Sequence, residues 1–430
     1  MQNANSTRSR MTLCRRCLCA ALACTALGCI FFSSSVFADD DTGYKNSTLT
    51  EDWGGVRTSL LNKGIGADIV YKFDVMSNTT GGAKTGTETL DNLDIKLSID
   101  GEKLFNSKGT TALIYFLNNN GSRPGSTLVN DAEGVDNIQV RTPGAKLYEA
   151  WVQQNFMNDR LSVLAGLYDL NSEFYVTDSS GLFLRPTFGI GTDLGQSGEN
   201  GPSIFPVTSV GLRFKVLLNR DFCVQAVVLD GVPGDPANPK GTRIRFDHSD
   251  GALIVGEADY LPGGESPTGK IGVGVWEYTK KFDDFAEVDS SGNPIKRRSE
   301  GLYVLAERRI YQEPGHDNRG LTTFIRFGMA SGDVNRFDYA WSAGAVYTGL
   351  FPGQDQGRLG LGVEGAHNSG TYRKAVNPSD ASETAFELTY SDNLLPWLAV
   401  QPDVQYIINP GTDPALDNAV IVGARFTAKF

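Results

Sequence analysis

Asn418-Ala-Val-Ile-Val-Gly-Ala-Arg-Phe-Thr-Ala-Lys-Phe430, the last stretch of the sequence, decides the fold class. Val420, Val422, Ala424, Phe426, Ala428 and Phe430 share one parity; Ile421, Gly423, Arg425, Thr427 and Lys429 share the other. Successive side chains of a strand point to opposite faces, so this is extended chain with one apolar and one mainly polar side. An open strand edge in water invites pairing with other chains. In a membrane barrel the last strand instead closes on the first, and a terminal aromatic lies in the interfacial girdle. Taken alone, the stretch also fits a strand of a soluble sandwich.

The same period recurs upstream. Residues 66–75 set Ala67, Ile69, Tyr71, Phe73 and Val75 against Asp68, Lys72 and Asp74. Residues 91–100 set Leu93, Ile95, Leu97 and Ile99 against Asp94, Lys96, Ser98 and Asp100. Regular alternation continues at 208–218, 321–330, 383–390 and 398–408. Weaker candidates lie near 110–118, 144–156, 160–169, 221–230, 250–260, 270–280, 300–311, 340–349 and 357–367. The total is about sixteen strands, an even number as a closed bacterial barrel requires. Connections alternate in length: 77–90, 119–143, 171–206, 231–250, 282–299, 368–382 and 409–417 are long, and only 332–338 in that series is short. Between them fall turns as tight as Met157-Asn158-Asp159 and Asn219-Arg220-Asp221. Long loops at one end and short turns at the other are a barrel's topology; a soluble sandwich predicts no such rule.

Composition sets the bounds. The chain has 430 residues, 49 of them glycine, and a mean hydropathy of −0.22. Beyond the first forty residues no run is apolar enough for a membrane helix, which leaves barrel strands untouched because their two faces average out. Arg8, Arg10, Arg15 and Arg16 precede an apolar Leu18–Phe32 core, and Val36-Phe37-Ala38 offers small residues for cleavage, so residues 1–38 read as a secretory signal peptide. Acylation at Cys29 and a start at Met11 are the other readings of this leader. Five of six cysteines lie in it and the sixth is Cys223, so no disulfide framework is expected past the leader. Its four arginines and no acids mean that cleavage takes the formal charge from −11 to −15, which argues against a nucleic-acid partner.

Residues 39–65 form a polar segment followed by a short helix on the periplasmic side, with Thr50 as cap and Gly64 at its end. The barrel then occupies 66–430. The 171–206 connection is the longest and carries Phe174, Tyr175, Phe183, Arg185 and Phe188. Loops of that size are usually functional. It is expected to fold into the lumen as a constriction; a lid on the barrel rim is the other arrangement it allows.

Several segments resemble the carbohydrate-selective porins of the bacterial outer membrane, the glucose-porin or OprB-like family. They are Leu49-Thr-Glu-Asp-Trp-Gly-Gly-Val-Arg57, Ala165-Gly-Leu-Tyr-Asp-Leu-Asn-Ser-Glu-Phe174, Phe205-Pro-Val-Thr-Ser-Val-Gly-Leu-Arg213, Asp230-Gly-Val-Pro-Gly-Asp235 and Gln401-Pro-Asp-Val-Gln-Tyr-Ile-Ile-Asn-Pro-Gly411. The resemblance spans nearly the whole chain past the leader. It implies an all-β fold, a transmembrane antiparallel barrel of sixteen strands with an infolded loop, and passive diffusion of small sugars, glucose typically. It also implies a Gram-negative outer-membrane location, contact with lipid, and delivery to the barrel-assembly machinery through Phe430. An arginine common in the family near the end of the third strand is not carried over, since Asn118-Asn119-Asn120 stands there.

A sugar path needs donors and acceptors for hydroxyls and aromatic faces for pyranose rings, and its binding must stay weak. Alternation assigns Asp68, Asp94, Glu149, Glu387 and Asp403 to the lumen, with Lys72, Lys96, Arg213, Lys215, Arg326 and Arg425 as cations and Gln401 and Gln405 as amides. Trp151 and Trp276 share that side. Both signs of charge suit a neutral polar solute; small organic acids are the alternative cargo. A one-residue slip would invert the assignment. Catalysis finds no support. His248, His316 and His367 are scattered, and no nucleophile elbow, zinc-protease motif or paired cysteines occur, so neither metal nor cofactor is expected.

Overall fold

The computed structural model describes residues 43–264 and 267–430; the leader of residues 1–38 lies outside the described residues. Sixteen strands form one closed antiparallel barrel in which sequence neighbours are also neighbours in space. The first eight are β1 (Ile65–Thr80), β2 (Gly86–Asp100), β3 (Thr110–Gly121), β4 (Gly144–Phe156), β5 (Leu161–Tyr168), β6 (Ser209–Leu217), β7 (Phe222–Asp230) and β8 (Ala252–Tyr260). The second eight are β9 (Gly269–Val288), β10 (Pro294–Gln312), β11 (Gly320–Ala330), β12 (Phe337–Thr348), β13 (Arg358–Asn368), β14 (Ser382–Leu395), β15 (Leu398–Ile408) and β16 (Ala419–Lys429). The terminal stretch closes the barrel, with Val70 opposite Lys429, Phe73 opposite Phe426 and Ser77 opposite Val422.

Alternation has the parity that the sequence predicts. In β7, Cys223, Gln225, Val227 and Leu229 are buried while Phe222, Val224, Ala226 and Val228 are exposed. Val273, Val275, Ile325, Leu361, Phe386, Leu388, Val404, Val422 and Phe426 all stand exposed on the outer face. This is an apolar band with no aqueous reason to exist, as a lipid-facing barrel requires. Aromatic pairs edge it: Phe222 with Tyr260 and Tyr311 with Tyr347 toward the short-turn end, Phe327 with Tyr339 toward the long-loop end. Among the described residues no helix is long and apolar enough to cross a membrane.

Three local expectations change. The polar segment before residue 49, where only one later helix is expected, already contains a helix, α1 (Gly43–Ser47). The next helix is shorter than the periodicity suggests: α2 spans Val56–Asn62 and is entered through Gly55 in the left-handed region, so Thr50 is not its cap. Gly64, at φ +91°, does end it. The connections at 77–90 and 282–299 are mostly strand; β1 and β2 run on until only 81–85 turns, and β9 and β10 until only 289–293 does. Their residues are polar on both faces because these hairpin tips extend past the apolar band, so alternation fades while pairing continues.

The N-terminal segment seals the seam. Arg57 is 2% exposed, donates 2.6 Å to the Ala67 carbonyl and 2.7 Å to the Phe430 oxygen, and stacks 3.9 Å from the Tyr44 ring centre. The Leu49 amide adds 2.7 Å to the Lys429 carbonyl. Residues far apart in sequence thus bind first and last strands together.

Candidate functional site: the lumen and its two infolded loops

The 169–208 connection descends into the barrel, broken into single helical turns at Leu170–Ser172, Ser179–Leu182 and Pro186–Phe188 and a short α3 (Thr192–Gly195). It lies within the lumen and is tied down along one wall. At its root Glu173 receives Arg213 Nε at 2.8 Å, Lys215 Nζ at 3.0 Å and the Tyr168 hydroxyl at 2.6 Å. Next, Glu257 on β8 accepts the Tyr175 amide at 2.8 Å and the Tyr303 hydroxyl at 2.6 Å, while Tyr175 and Tyr303 stack with centres 3.9 Å apart. Glu307 on β10 takes the Ser179 amide at 2.6 Å. Arg326 on β11 donates to the Gly189 carbonyl at 2.8 Å and to the Thr187 carbonyl. Phe183 and Phe188 stack at 4.4 Å and set their edges against Phe324. Glu387 on β14 captures the Leu184 and Arg185 amides at 2.6 and 3.1 Å. A carboxylate bound to backbone amides fixes the chain itself rather than a movable side chain, so this wall holds the loop's shape.

A second loop, residues 122–143, also enters. Its Leu128, Val129, Val135 and Ile138 are buried against Met76, Leu90, Ile407, Ala419 and Ile421. Arg425 grips Asp74 through two nitrogens, at 2.9 and 2.6 Å, and reaches Asp136 at 3.2 Å and Asn137 at 2.8 Å in this loop. Gln405 on β15 donates 2.9 Å to the Val135 carbonyl and 2.9 Å to Asp403.

The wall formed by β1 to β4 is differently equipped. Lys72 lies 3.0 Å from Asp94 with 29% of its side chain exposed. Asp94 also accepts Asn92 and the Tyr115 hydroxyl, each at 2.7 Å. Lys96 is exposed and sits 4.5 Å from the Tyr115 ring centre; Asp68, also exposed, is its register partner. Nearby, Glu149 accepts Trp151 Nε1 at 3.0 Å, and Tyr148 donates 2.6 Å to Asp169. Of the residues assigned to the lumen from sequence, Asp94, Glu149, Arg213, Lys215, Arg326, Glu387, Asp403 and Arg425 are buried. Asp68, Lys72, Lys96 and Trp151 retain exposure. The loop aromatics Phe174, Tyr175, Phe183 and Phe188, and Arg185 with them, are buried in the packing that holds the loop.

Electrostatics in the loops follow from this packing. Burial alone would raise Glu173, but the Lys215 and Arg213 cations outweigh it and hold the carboxyl down at about 2. For Asp193 and Asp178 burial outweighs the nearby cations, Arg326 and Lys270 respectively, and pushes each up to about 7. Burial also pushes Glu133 and Asp136 well above the usual carboxylate range, helped by Glu364 and Glu383 for the first and Asp74 for the second.

Sequence reasoning missed the loop-side carboxylates Asp131, Glu133, Asp136 and Glu173, and the wall groups Glu257, Lys270, Glu307 and Glu364. Their strands do carry a parity signal: Glu257 and Lys270 fall among small or apolar inward residues and pair at 3.1 Å. The loop residues carry none, because which carboxylate meets which amide depends on how far the loop descends.

A family model described as "Carbohydrate-selective porin, OprB family" matches residues 84–430. The curated relative Porin B of Pseudomonas aeruginosa is 26% identical over 416 residues, covering 88% of this chain and 90% of that protein. Putative porin QuiX of Acinetobacter baylyi is 22% identical, covering 93% and 96%. In fold, the chain is similar to the solved high-pH structure of Pseudomonas putida OprB, with a TM-score of 0.80 and 24% identity over 91% of this chain and all of that one.

Proposed function

This chain belongs to the OprB family of carbohydrate-selective porins, and from that premise we propose that it conducts glucose and similar small sugars passively across the Gram-negative outer membrane. The observation that carries the reading is the asymmetry of the lumen. From β6 to β15 inward charges such as Arg213, Glu257, Glu307, Arg326 and Glu387 are taken up in holding loops, whereas on β1 and β2 Lys72, Lys96 and Asp68 keep exposure, with Lys96 against the Tyr115 ring. A solute sliding along that wall meets donors, acceptors and an aromatic edge in alternation. Hydroxyl groups can trade hydrogen bonds stepwise there, with no site deep enough to trap them. The paired signs leave little net field on a neutral solute. Of the residues assigned to the lumen from sequence, we infer that Asp68, Lys72, Asp94, Lys96, Glu149 and Trp151 line the path. Phe430 would serve as the residue that assembly machinery reads.

Liposome swelling tests this. Glucose should enter several-fold faster than gluconate, a charged compound of like size, and Lys72→Met should slow glucose while shifting the reversal potential in a salt gradient toward cations. Equal entry of all solutes would remove sugar selectivity. The exposed Lys72 and Lys96 favour one second reading, small organic anions, which predicts gluconate as the faster solute.

A further inference from the structure

Arg185 is 0% exposed and joins segments from across the sequence. Its Nε lies 2.5 Å from Glu364 on β13, its Nη1 3.5 Å from Asp131 of the second loop and 3.4 Å from Gln405 on β15, and its Nη2 3.6 Å from Glu383 on β14. The second loop lands on the same group: the Ala132 and Glu133 amides donate to Glu383 at 2.8 and 3.1 Å. Two infolded loops that are separate in sequence therefore share one guanidinium.

The cluster is rich in acid. Asp131, Glu133, Glu364 and Glu383 surround the single cation, and Oε2 of both Glu133 and Glu364 is buried with no hydrogen-bond partner. Without Arg185 these carboxyl groups would face one another across the loop–wall junction, and mutual repulsion in a poorly hydrated place would drive the loops from the wall. Arg185 reaches no open water, so it cannot select solutes by touch. It acts through what it holds: Phe183 and Phe188 on one side, and on the other the second loop down to Asp136 and Asn137 at Arg425.

We propose that Arg185 is the positioning residue that sets the width of the channel, by tying the two infolded loops to each other and to β13–β15. This rests on the channel reading above. Arg185→Ala and Arg185→Lys would be compared with wild type in planar bilayers and by liposome swelling with glucose and a trisaccharide. Arg185→Ala should raise single-channel conductance and increase the trisaccharide-to-glucose ratio several-fold. Arg185→Lys, which keeps the charge and loses the fork, should fall between.

The pH profile adds a readout that general loss of structure would not give. The titratable groups here are Asp131 and Glu133 from the second loop, Glu364 and Glu383 from the wall, and Glu387 beneath the Arg185 amide. Burial holds the loop carboxyls Asp131 and Glu133 above the usual carboxylate range, so raising pH ionises these two and the wild-type ratio should climb from mildly acidic to alkaline pH, and Arg185→Ala, already open, should lose that slope. If Arg185→Ala fails to assemble, Arg185→Lys decides, and an unchanged ratio in it overturns the inference. A wild type that admits glucose while the variants keep its ratio refutes the role of Arg185 and leaves the channel reading standing. A wild type that admits no sugar refutes the channel reading itself.

Discussion

Replacing Glu173 by glutamine should release the 169–208 loop at its root. The carboxylate is the common partner of Arg213 and Lys215, at 2.8 and 3.0 Å, and its side chain is only 10% exposed. Its carboxyl is held at about 2, against an ordinary 4.5. At 1.36 kcal/mol per pH unit that gap is worth about 3 kcal/mol of preference for the charged, loop-bound form. Breaking a buried pair by removing one member costs about 3–5 kcal/mol, because the surviving charges stay out of water, so the two routes agree. The cost falls on local opening, since the barrel hydrogen bonds are untouched. Hydrogen exchange followed by mass spectrometry in detergent should therefore show the segment from Asn171 to Val176 exchanging about a hundredfold faster in Glu173→Gln, with β1–β4 peptides unchanged. The sign with pH is fixed as well. A carboxyl depressed in the folded state stabilises above its ordinary value and loses that contribution as pH falls toward about 2, so wild-type exchange should rise below 4.5 while the variant shows no such acid limb. Exchange in the variant within a few-fold of wild type would refute the reasoning.

Three further outcomes are expected. Arg57→Ala removes the charged hydrogen bonds to Ala67 and Phe430 across the seam, worth on the order of 3 kcal/mol, and should lower the temperature at which the folded band is lost on semi-native gels without changing single-channel conductance. Gly362→Ala would place a methyl group 2.6 Å from the Phe188 ring and 2.9 Å from Phe183; displacing that stack should cost about 1–3 kcal/mol and show as increased open-channel noise. Asp193 and Asp178, raised to about 7 by burial, stabilise the loop most below 3.8 and lose that contribution as pH rises through 7. Loop exchange should accordingly accelerate between those values and level off above, and Asp193→Asn should flatten the rise.

The barrel was legible in the sequence. Cβ atoms alternate along any extended chain, so the parity of Val422 and Phe426 against Arg425, or of Leu93 and Ile95 against Asp94 and Lys96, fixes which residues face lipid before any partner strand is known. Tight turns such as Met157-Asn158-Asp159, with all three residues at positive φ, and the long connections between them ordered the strands. Parity also named many of the inward charges, though not Glu257, Lys270, Glu307 or Glu364. It could not say what they do there. Glu387 and Arg326 have the same alternation signature as Lys72 and Asp68, yet the first two bind loop backbone and the last two meet water. The difference is made by two loops whose own sequences are aperiodic and whose descent brings Arg185 within reach of Glu364, 179 residues away. Alternation is a property of the local backbone, and the sequence states it openly. Which charges are satisfied and which stay free to meet a solute depends on long-range burial, and only the closed barrel with its loops in place decides that.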